Sequence, residues 1–280
     1  MHTATATIVR RAPTALLAVF GLHAALACTA PAPSAGEDAA ARAILAETER
    51  GLARDADDPN LHMARGRALA ELERYDEALA AYGRCLALDP ARGEAHFRSA
   101  LALDDLGRFA EAVVAYDAAL AGGTETPPAR VHYDRGISLG RMGRHREALA
   151  AFDSALVADA RYAAAYYARG AALNGLFRND EAVQAYERAL VLRPDMPEAL
   201  NAKGVTLLRL GRHAEALIVF ERLIEVAPED ALARLNRGLA LEDTGRYDEA
   251  LAAFERALAL DPGSEAAQAG LERIARRIGR

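Results

Sequence analysis

Histidine and cysteine are the side chains here with the most latent chemistry, and neither type gathers. Of the seven histidines, His62, His96 and His132 fall at intervals of 34 and 36 residues, the same place in three successive copies of a repeated unit. Zinc holds its ligands about 2 Å away around one ion, whereas equivalent positions in stacked copies lie a helix pair apart. The series continues as Tyr166, Leu200 and Arg234, which is a packing position rather than a ligand set. His145 and His213 share a turn position with Tyr75, Phe109 and Tyr247 and read the same way. Two cysteines, Cys28 and Cys85, are too few for a disulfide framework, and Cys85 reads as a buried structural thiol. No Gly-rich phosphate loop, nucleophile elbow, HExxH or CxxC occurs, and the carboxylates spread over helix surfaces. With no catalytic constellation, the chain reads as not an enzyme, with no metal and no cofactor.

What it does carry is a period. Gly66, Ala100, Gly136, Gly170, Gly204 and Gly238 recur at steps of 34, 36, 34, 34 and 34 residues, and self-similarity of this length marks a solenoid of stacked units. Each unit reads as two helices. In the fifth, Leu200, Val205, Leu207 and Leu208 have helical spacing, Gly211-Arg212 makes a turn, and Ala216, Leu217, Phe220, Leu223 and Ile224 repeat the spacing up to Pro228. Gly inside a helix costs about 1 kcal/mol relative to Ala. Its retention in five copies of six points to close packing that admits nothing larger than a methyl. Ala78, Ala112, Ala148, Ala182, Ala216 and Ala250 ask for the same explanation on the second helix.

These spacings resemble the tetratricopeptide repeat. Position eight is the glycine series. Position twenty-four is aromatic in every copy: Tyr82, Tyr116, Phe152, Tyr186, Phe220 and Phe254. Position twenty-seven is Cys85, Ala119, Ala155, Ala189, Leu223 and Ala257, and position thirty-two is Pro90, Pro194, Pro228 and Pro262 in four copies. The resemblance implies an all-α, right-handed superhelical solenoid of antiparallel helix pairs. Departures are few. Position eleven is Leu instead of Tyr, and position seven is basic in five copies: Arg65, Arg135, Arg169, Lys203 and Arg237. Either their aliphatic stems cover the seam between repeats while the charges reach nearby Asp or Glu, or they form a basic stripe for an acidic ligand.

The boundaries follow from the register. Residues 1–27 read as a signal peptide, with Arg10-Arg11 before a short apolar run; Ala12-Pro13-Thr14 lacks the apolar pair of a twin-arginine signal. Cys28 and the Pro-rich stretch after it, 28–38, resemble the lipidated Cys and flexible tether of a bacterial lipoprotein, although Ala25 and Leu26 depart from that family's motif. Ordinary cleavage after Ala27 stays open. Residues 39–58 supply an N-terminal capping helix. Repeats follow at 59–92, 93–128, 129–162, 163–196, 197–230 and 231–264, and a second capping helix, 265–280, closes the array. The second repeat carries two extra residues with Gly122-Gly123, which predicts an early helix end, a change of pitch and a flexible point. Phe177 stands where other copies carry Gly, Glu73 excepted, and predicts a different turn. In the last helix, Ala267, Leu271, Ile274 and Ile278 share one face, and Arg273, Arg276 and Arg277 the other.

Net charge is −6, and becomes −8 without residues 1–27, which argues against nucleic acid as a partner. In the resembled family, ligands bind the concave face of the first helices. Position five there is Met63, Phe97, Tyr133, Tyr167, Asn201 and Leu235, with Arg130 at position two of the third repeat. Three successive aromatics mark the groove for another protein's peptide or helix segment, unless they pack against neighbours or the N-terminal cap folds over them. Lys is missing from position five, so the clamp for a terminal carboxylate found in the chaperone-binding relatives is absent. The resemblance implies a non-catalytic scaffold or adaptor in a bacterial envelope, lipid-anchored at Cys28 to the outer membrane and facing the periplasm. It would serve assembly of a pilus or secretion complex, or act as a protease adaptor. Open alternatives are a secreted or soluble periplasmic protein, and a self-associating homo-oligomeric envelope spacer with no peptide ligand.

Overall fold

The computed structural model describes residues 35–279 of the chain. The expected signal peptide, Cys28 and the tether up to residue 34 lie outside the described residues. Fourteen helices and no strand form among those described. Helix α1 (Ala35–Leu52) begins inside the stretch expected to be tether. Six helix pairs follow: α2 (Pro59–Glu71) and α3 (Tyr75–Leu88), α4 (Gly93–Asp105) and α5 (Phe109–Gly122), α6 (Pro128–Arg141) and α7 (His145–Ala158), α8 (Ala163–Gly175) and α9 (Asn179–Leu192), α10 (Pro197–Arg209) and α11 (His213–Val226), α12 (Ala231–Asp243) and α13 (Tyr247–Leu260). Helix α14 (Glu265–Ile278) closes the stack. Every helix packs on its neighbours in sequence, so the molecule is an all-α solenoid. Its apolar interior is a chain of local clusters, each shared by adjacent repeats.

The glycine series works through the aromatic at position twenty-four. A Cβ built on Gly204 would stand 2.6 Å from Phe220 Cε1, and at Gly66 it would collide with Tyr82. Even a methyl therefore displaces a ring in these five copies, a tighter limit than the sequence suggested. The ring packs with one edge against the first helix of its own repeat, and the alanines on the second helix are fully buried.

Within each pair the turn has one geometry. Arg212 N donates to Leu207 O at 2.9 Å, and Arg178 N to Leu173 O at 2.9 Å, the bond that closes a Schellman ending around a left-handed residue. Gly211 occupies that place with φ 72°, Phe177 with φ 61° and Glu73 with φ 58°. The different turn expected at Phe177 is not formed: the hydrogen bonds force the same backbone, and the side chain simply stands out in solvent. The arginine after this residue, at the N-terminal end of each second helix, grips the glutamate three residues on. Arg212 Nε–Glu215 Oε1 is 2.7 Å, and five equivalent pairs repeat it.

The insertion behaves differently from expectation in part. Helix α5 runs to Gly122, with the same 14 residues as α3 and α7, so it does not end early. The extra residues sit in the following loop, where Thr124 Oγ1 donates to Glu94 Oε2 at 2.6 Å and Thr126 Oγ1 at 3.3 Å. Glu94 is buried and also accepts from Arg98 at 2.8 Å. The loop is thus tied down, which replaces the flexible point expected there.

Candidate functional site

The first helices of successive repeats touch one another at four of the five junctions, the one between the second and third repeats excepted, and we take them as the inner face of the stack. At position seven of these helices, Arg135 reaches Asp117 (2.7 Å), Arg169 reaches Asp153 (2.7 Å) and Lys203 reaches Glu187 (2.9 Å), each on the preceding second helix. Arg237 approaches Glu221 at 3.7 Å. These four charges are engaged within the seams, so a free basic stripe does not describe them; Arg65, the fifth, makes no ion pair among the described residues and its Nε is buried without a partner.

The position-five aromatics are not an open stripe. Phe97 is 4% exposed and Tyr167 7% exposed, and Met63 and Leu235 are buried as well. Position five points between the two helices of its own repeat. There Phe97 meets Tyr116 (6.0 Å between centroids), Tyr133 meets Phe152 (6.0 Å) and Tyr167 meets Tyr186 (5.9 Å). Of the residues expected in the groove, Tyr133 and Asn201 are half-buried and Arg130 is exposed. Tyr133 also leans on Tyr162 at 5.0 Å, Asn201 Oδ1 accepts from Asn236 Nδ2 at 3.2 Å, and Arg130 Nε donates to Asp134 Oδ2 at 2.6 Å. The inner face is therefore polar over an apolar floor. At its N-terminal end it opens into a cleft of about 410 Å³ walled by Ile44, Asn60, Met63, Arg67, Glu71, Arg92 and Glu125.

The histidines of position four hold the backbone. His62 Nε2 donates to Ala56 O at 2.8 Å and His96 Nε2 to Pro90 O at 3.1 Å, each six residues back. Burial, followed by Arg135, pushes the His132 imidazole down. Cys85 is a buried free thiol whose pKa burial raises. Among the described residues no helix is long and apolar enough to cross a membrane. The arginine face of α14 is partly occupied: Arg273 Nη2 pairs with Glu242 at 2.7 Å, and Arg277 stacks 5.5 Å over Tyr247.

Two junctions carry buried polar networks that sequence reading did not single out. At the first, Tyr116 Oη donates to Asp104 Oδ2 (2.7 Å) and Ser138 Oγ to Asp104 Oδ1 (2.7 Å). Burial raises the Asp104 pKa against the pull of these two bonds. Next to it Asp134 is pushed up to about 6, by burial first and by the Asp104 charge, with Arg130 opposing. At the second junction, Asn174 Nδ2 donates to Tyr186 Oη (3.0 Å) and to Thr206 Oγ1 (2.9 Å). The signal was available in the repeat alignment. Where position twenty-four is Tyr116 or Tyr186, position twelve is Asp104 or Asn174 and position ten of the next repeat is Ser138 or Thr206; Tyr82 of the first repeat has Ala70 and Ala102 instead. Where it is Phe152 or Phe220, the matching residues are Gly140 with Ala172, and Leu208 with Ala240.

A family model of the tetratricopeptide repeat matches residues 63–129, 133–197, 175–225 and 201–265. No curated protein matches the chain. Among solved structures, the fold is similar to the C-terminal part of a repeat-containing protein from Cytophaga hutchinsonii (TM-score 0.68, 19% identity, 84% of this chain and 99% of that one). It is also similar to pilF of Pseudomonas aeruginosa (0.61, 19%, 77% and 97%). A third likeness is to YrrB, a protein with an unusual peptide-binding site (0.60, 23%, 69% and 99%).

Proposed function

From the premise that this chain belongs to the tetratricopeptide repeat family, we propose that it is a non-catalytic scaffold that holds a segment of another protein along its inner face. The observation that carries the reading is the inner surface itself. At its N-terminal end it holds a 410 Å³ cleft lined by the apolar Ile44 and Met63 and by the polar Asn60, Arg67 and Arg92. Such a mixture of apolar floor and convergent polar groups is what a bound segment needs. The peptide site of YrrB and the pilus-related name of pilF are in keeping with this role. The sequence of residues 1–38 supports a setting in the bacterial envelope, with Cys28 as lipid anchor at the periplasmic side of the outer membrane. Within that setting, assembly of a pilus or secretion complex and protease adaptation are the roles proposed.

The test is crosslinking in cells followed by capture of the protein, comparing wild type with the combined change Asn60→Arg, Asn201→Arg and Glu198→Arg, the last at position two of the fifth repeat, where the third carries Arg130. One envelope protein enriched by wild type and lost from the variant is the expected result. Identical capture by both would overturn the groove as working surface. Radiolabelled palmitate should enter wild type and be absent from Cys28→Ser.

The self-associating spacer is a second reading. Val157 and Val191 stand at the same place in successive outer helices, 88% and 73% exposed, a pairing an outer-face contact could use. A mass that rises with concentration in light scattering, and falls back in Val157→Lys with Val191→Lys, would favour it.

A further inference from the structure

The junction between the second and third repeats stands apart from the other four. It alone follows a two-residue insertion, and it alone lacks the contact that the other junctions make between their first helices. On its inner side an acid from each repeat faces the seam: Asp104 at the end of α4, half-buried, and Asp134 in the middle of α6, buried. The Tyr116 hydroxyl from α5 donates to Asp104 and stands in the field of both carboxylates. Tyr133 on α6 and Tyr162 from the turn before α8 complete the surroundings of Asp134.

The cations at this seam compensate only in part. Arg130 bonds Asp134 at 2.6 Å, but its side chain is 54% exposed, so solvent screens its charge. Arg141 favours the ionised form of Asp104 without an ion pair to it among the described residues. Two carboxylates in each other's field resist being charged together in a buried site. Burial first, and then the Asp104 charge, lift Asp134 from 3.8 to about 6, and burial raises Asp104 as well. A carboxyl raised in the packed junction holds its proton more firmly there than in water. Packing at the seam is therefore favoured in acid and loses that support as pH rises through about 6. The inserted loop is bonded to Glu94 on α4, so it moves with the second repeat, and the seam between α4 and α6 is the surface free to part.

We propose that this seam is a proton-operated hinge that sets the pitch of the solenoid. With a proton on the Asp104–Asp134 pair, repeats one and two stay closed against repeats three to six. When both acids are ionised, the inner side of the seam opens and admits water to them, pivoting on the packing of α5 against α6. At the junction between the fourth and fifth repeats Asn174 and Ala202 occupy these places, and the pitch there is indifferent to pH. The hinge stands whatever the inner face holds. For a segment lying across the seam, it makes the spacing of the first helices depend on pH.

The test is the distance between two spin labels across each junction, in full-length protein carrying Cys28→Ser and Cys85→Ala. Val114→Cys with Ala150→Cys places labels at the same outer position of α5 and α7, and Gln184→Cys with Ile218→Cys does so on α9 and α11. From pH 4 to pH 8 the first distance should shorten by about 2 Å, with its midpoint near the Asp134 value of about 6, while the second stays constant. Asp134→Asn should hold the acid distance throughout. Asp104→Asn, which copies the neutral junction, should keep the change and move its midpoint to lower pH, because a repelling charge is gone. Arg130→Gln should move the midpoint to higher pH, because the opposing cation is gone. No change at the first junction, or an equal change at both, overturns the hinge. So does a change that persists in Asp134→Asn, or a midpoint that Asp104→Asn and Arg130→Gln leave in place.

Discussion

The junction between the second and third repeats and the junction between the fourth and fifth use the same three positions to bury a tyrosine hydroxyl, yet they are electrostatically unlike. Asp104 accepts from Tyr116 and Ser138, whereas Asn174 donates to Tyr186 and Thr206. The first is an acidic site, crowded by Asp134 and balanced by Arg130 and Arg141. The second is neutral at its centre. The intervening junction, with Phe152, Gly140 and Ala172, needs no polar group at all. The difference teaches that the ring at position twenty-four is the packing element. At Tyr116 and Tyr186 the hydroxyl is accompanied by polar residues at two neighbouring positions, which offsets the cost of burying it, whereas Tyr82 has Ala70 and Ala102 there.

The severest test of that rule is to break it at an apolar junction. Phe220→Tyr should bury a hydroxyl against Leu208 and Ala240 and destabilise by about 3 kcal/mol. Adding Leu208→Asn and Ala240→Thr copies the neutral network and should recover at least half of the loss. Urea midpoints of the single and triple variants measure both; a single variant as stable as wild type would break the comparison.

Acid response should separate the two junctions next. The Asp134 pKa is raised in the fold from 3.8 to about 6. Across that window the native state binds more protons than the unfolded one, so this group's contribution to stability is present at low pH and falls as pH rises through 6. The gap corresponds to roughly 2–3 kcal/mol. Hydrogen-exchange protection of α6 should decline from pH 4 to pH 7 in wild type and stay level in Asp134→Asn. Helix α10 has Ala202 at the equivalent position and should show no such decline in either protein.

Removing the hydroxyls is a smaller perturbation that sharpens the same contrast. Tyr116→Phe takes a donor from a buried carboxylate and should cost about 2 kcal/mol, while Tyr186→Phe takes an acceptor from an amide still bonded to Thr206 and should cost about 1 kcal/mol. Equal losses would mean that Asp104 is protonated in the native state at neutral pH.

Much of the fold was legible because the repeat writes each packing rule six times. Gly204 and Phe220 announce a close contact by their spacing alone, and position seven shows its role because Arg169 and Lys203 keep acids at the same distance behind them. The candidate site was less legible. Phe97 and Tyr167 share the register of groove residues, but side-chain direction decides burial, and a linear pattern does not state which side of an inner helix faces the partner helix. Glu94 gave no signal either, since its partners Thr124 and Thr126 come from an insertion that no other repeat has.

Phe177 offers the smallest effect and a check on the turn. Its sequence suggested an altered connection between α8 and α9, but the Schellman hydrogen bonds impose the left-handed residue that Gly211 adopts freely. A side chain in that conformation costs roughly 1–2 kcal/mol. Against this, Gly loses more backbone freedom on folding, by about 0.5–1 kcal/mol, and Phe177, 73% exposed, gives up little burial. Phe177→Gly should therefore stabilise the protein by about 0.5 kcal/mol, a shift of the urea midpoint with no change in slope. Gly211→Phe, the reverse change at the same place in the next repeat, should destabilise by a similar amount. If Phe177→Gly destabilised the protein, the exposed ring would have a contact that relief of backbone strain does not offset, and the fourth turn would differ from its neighbours after all.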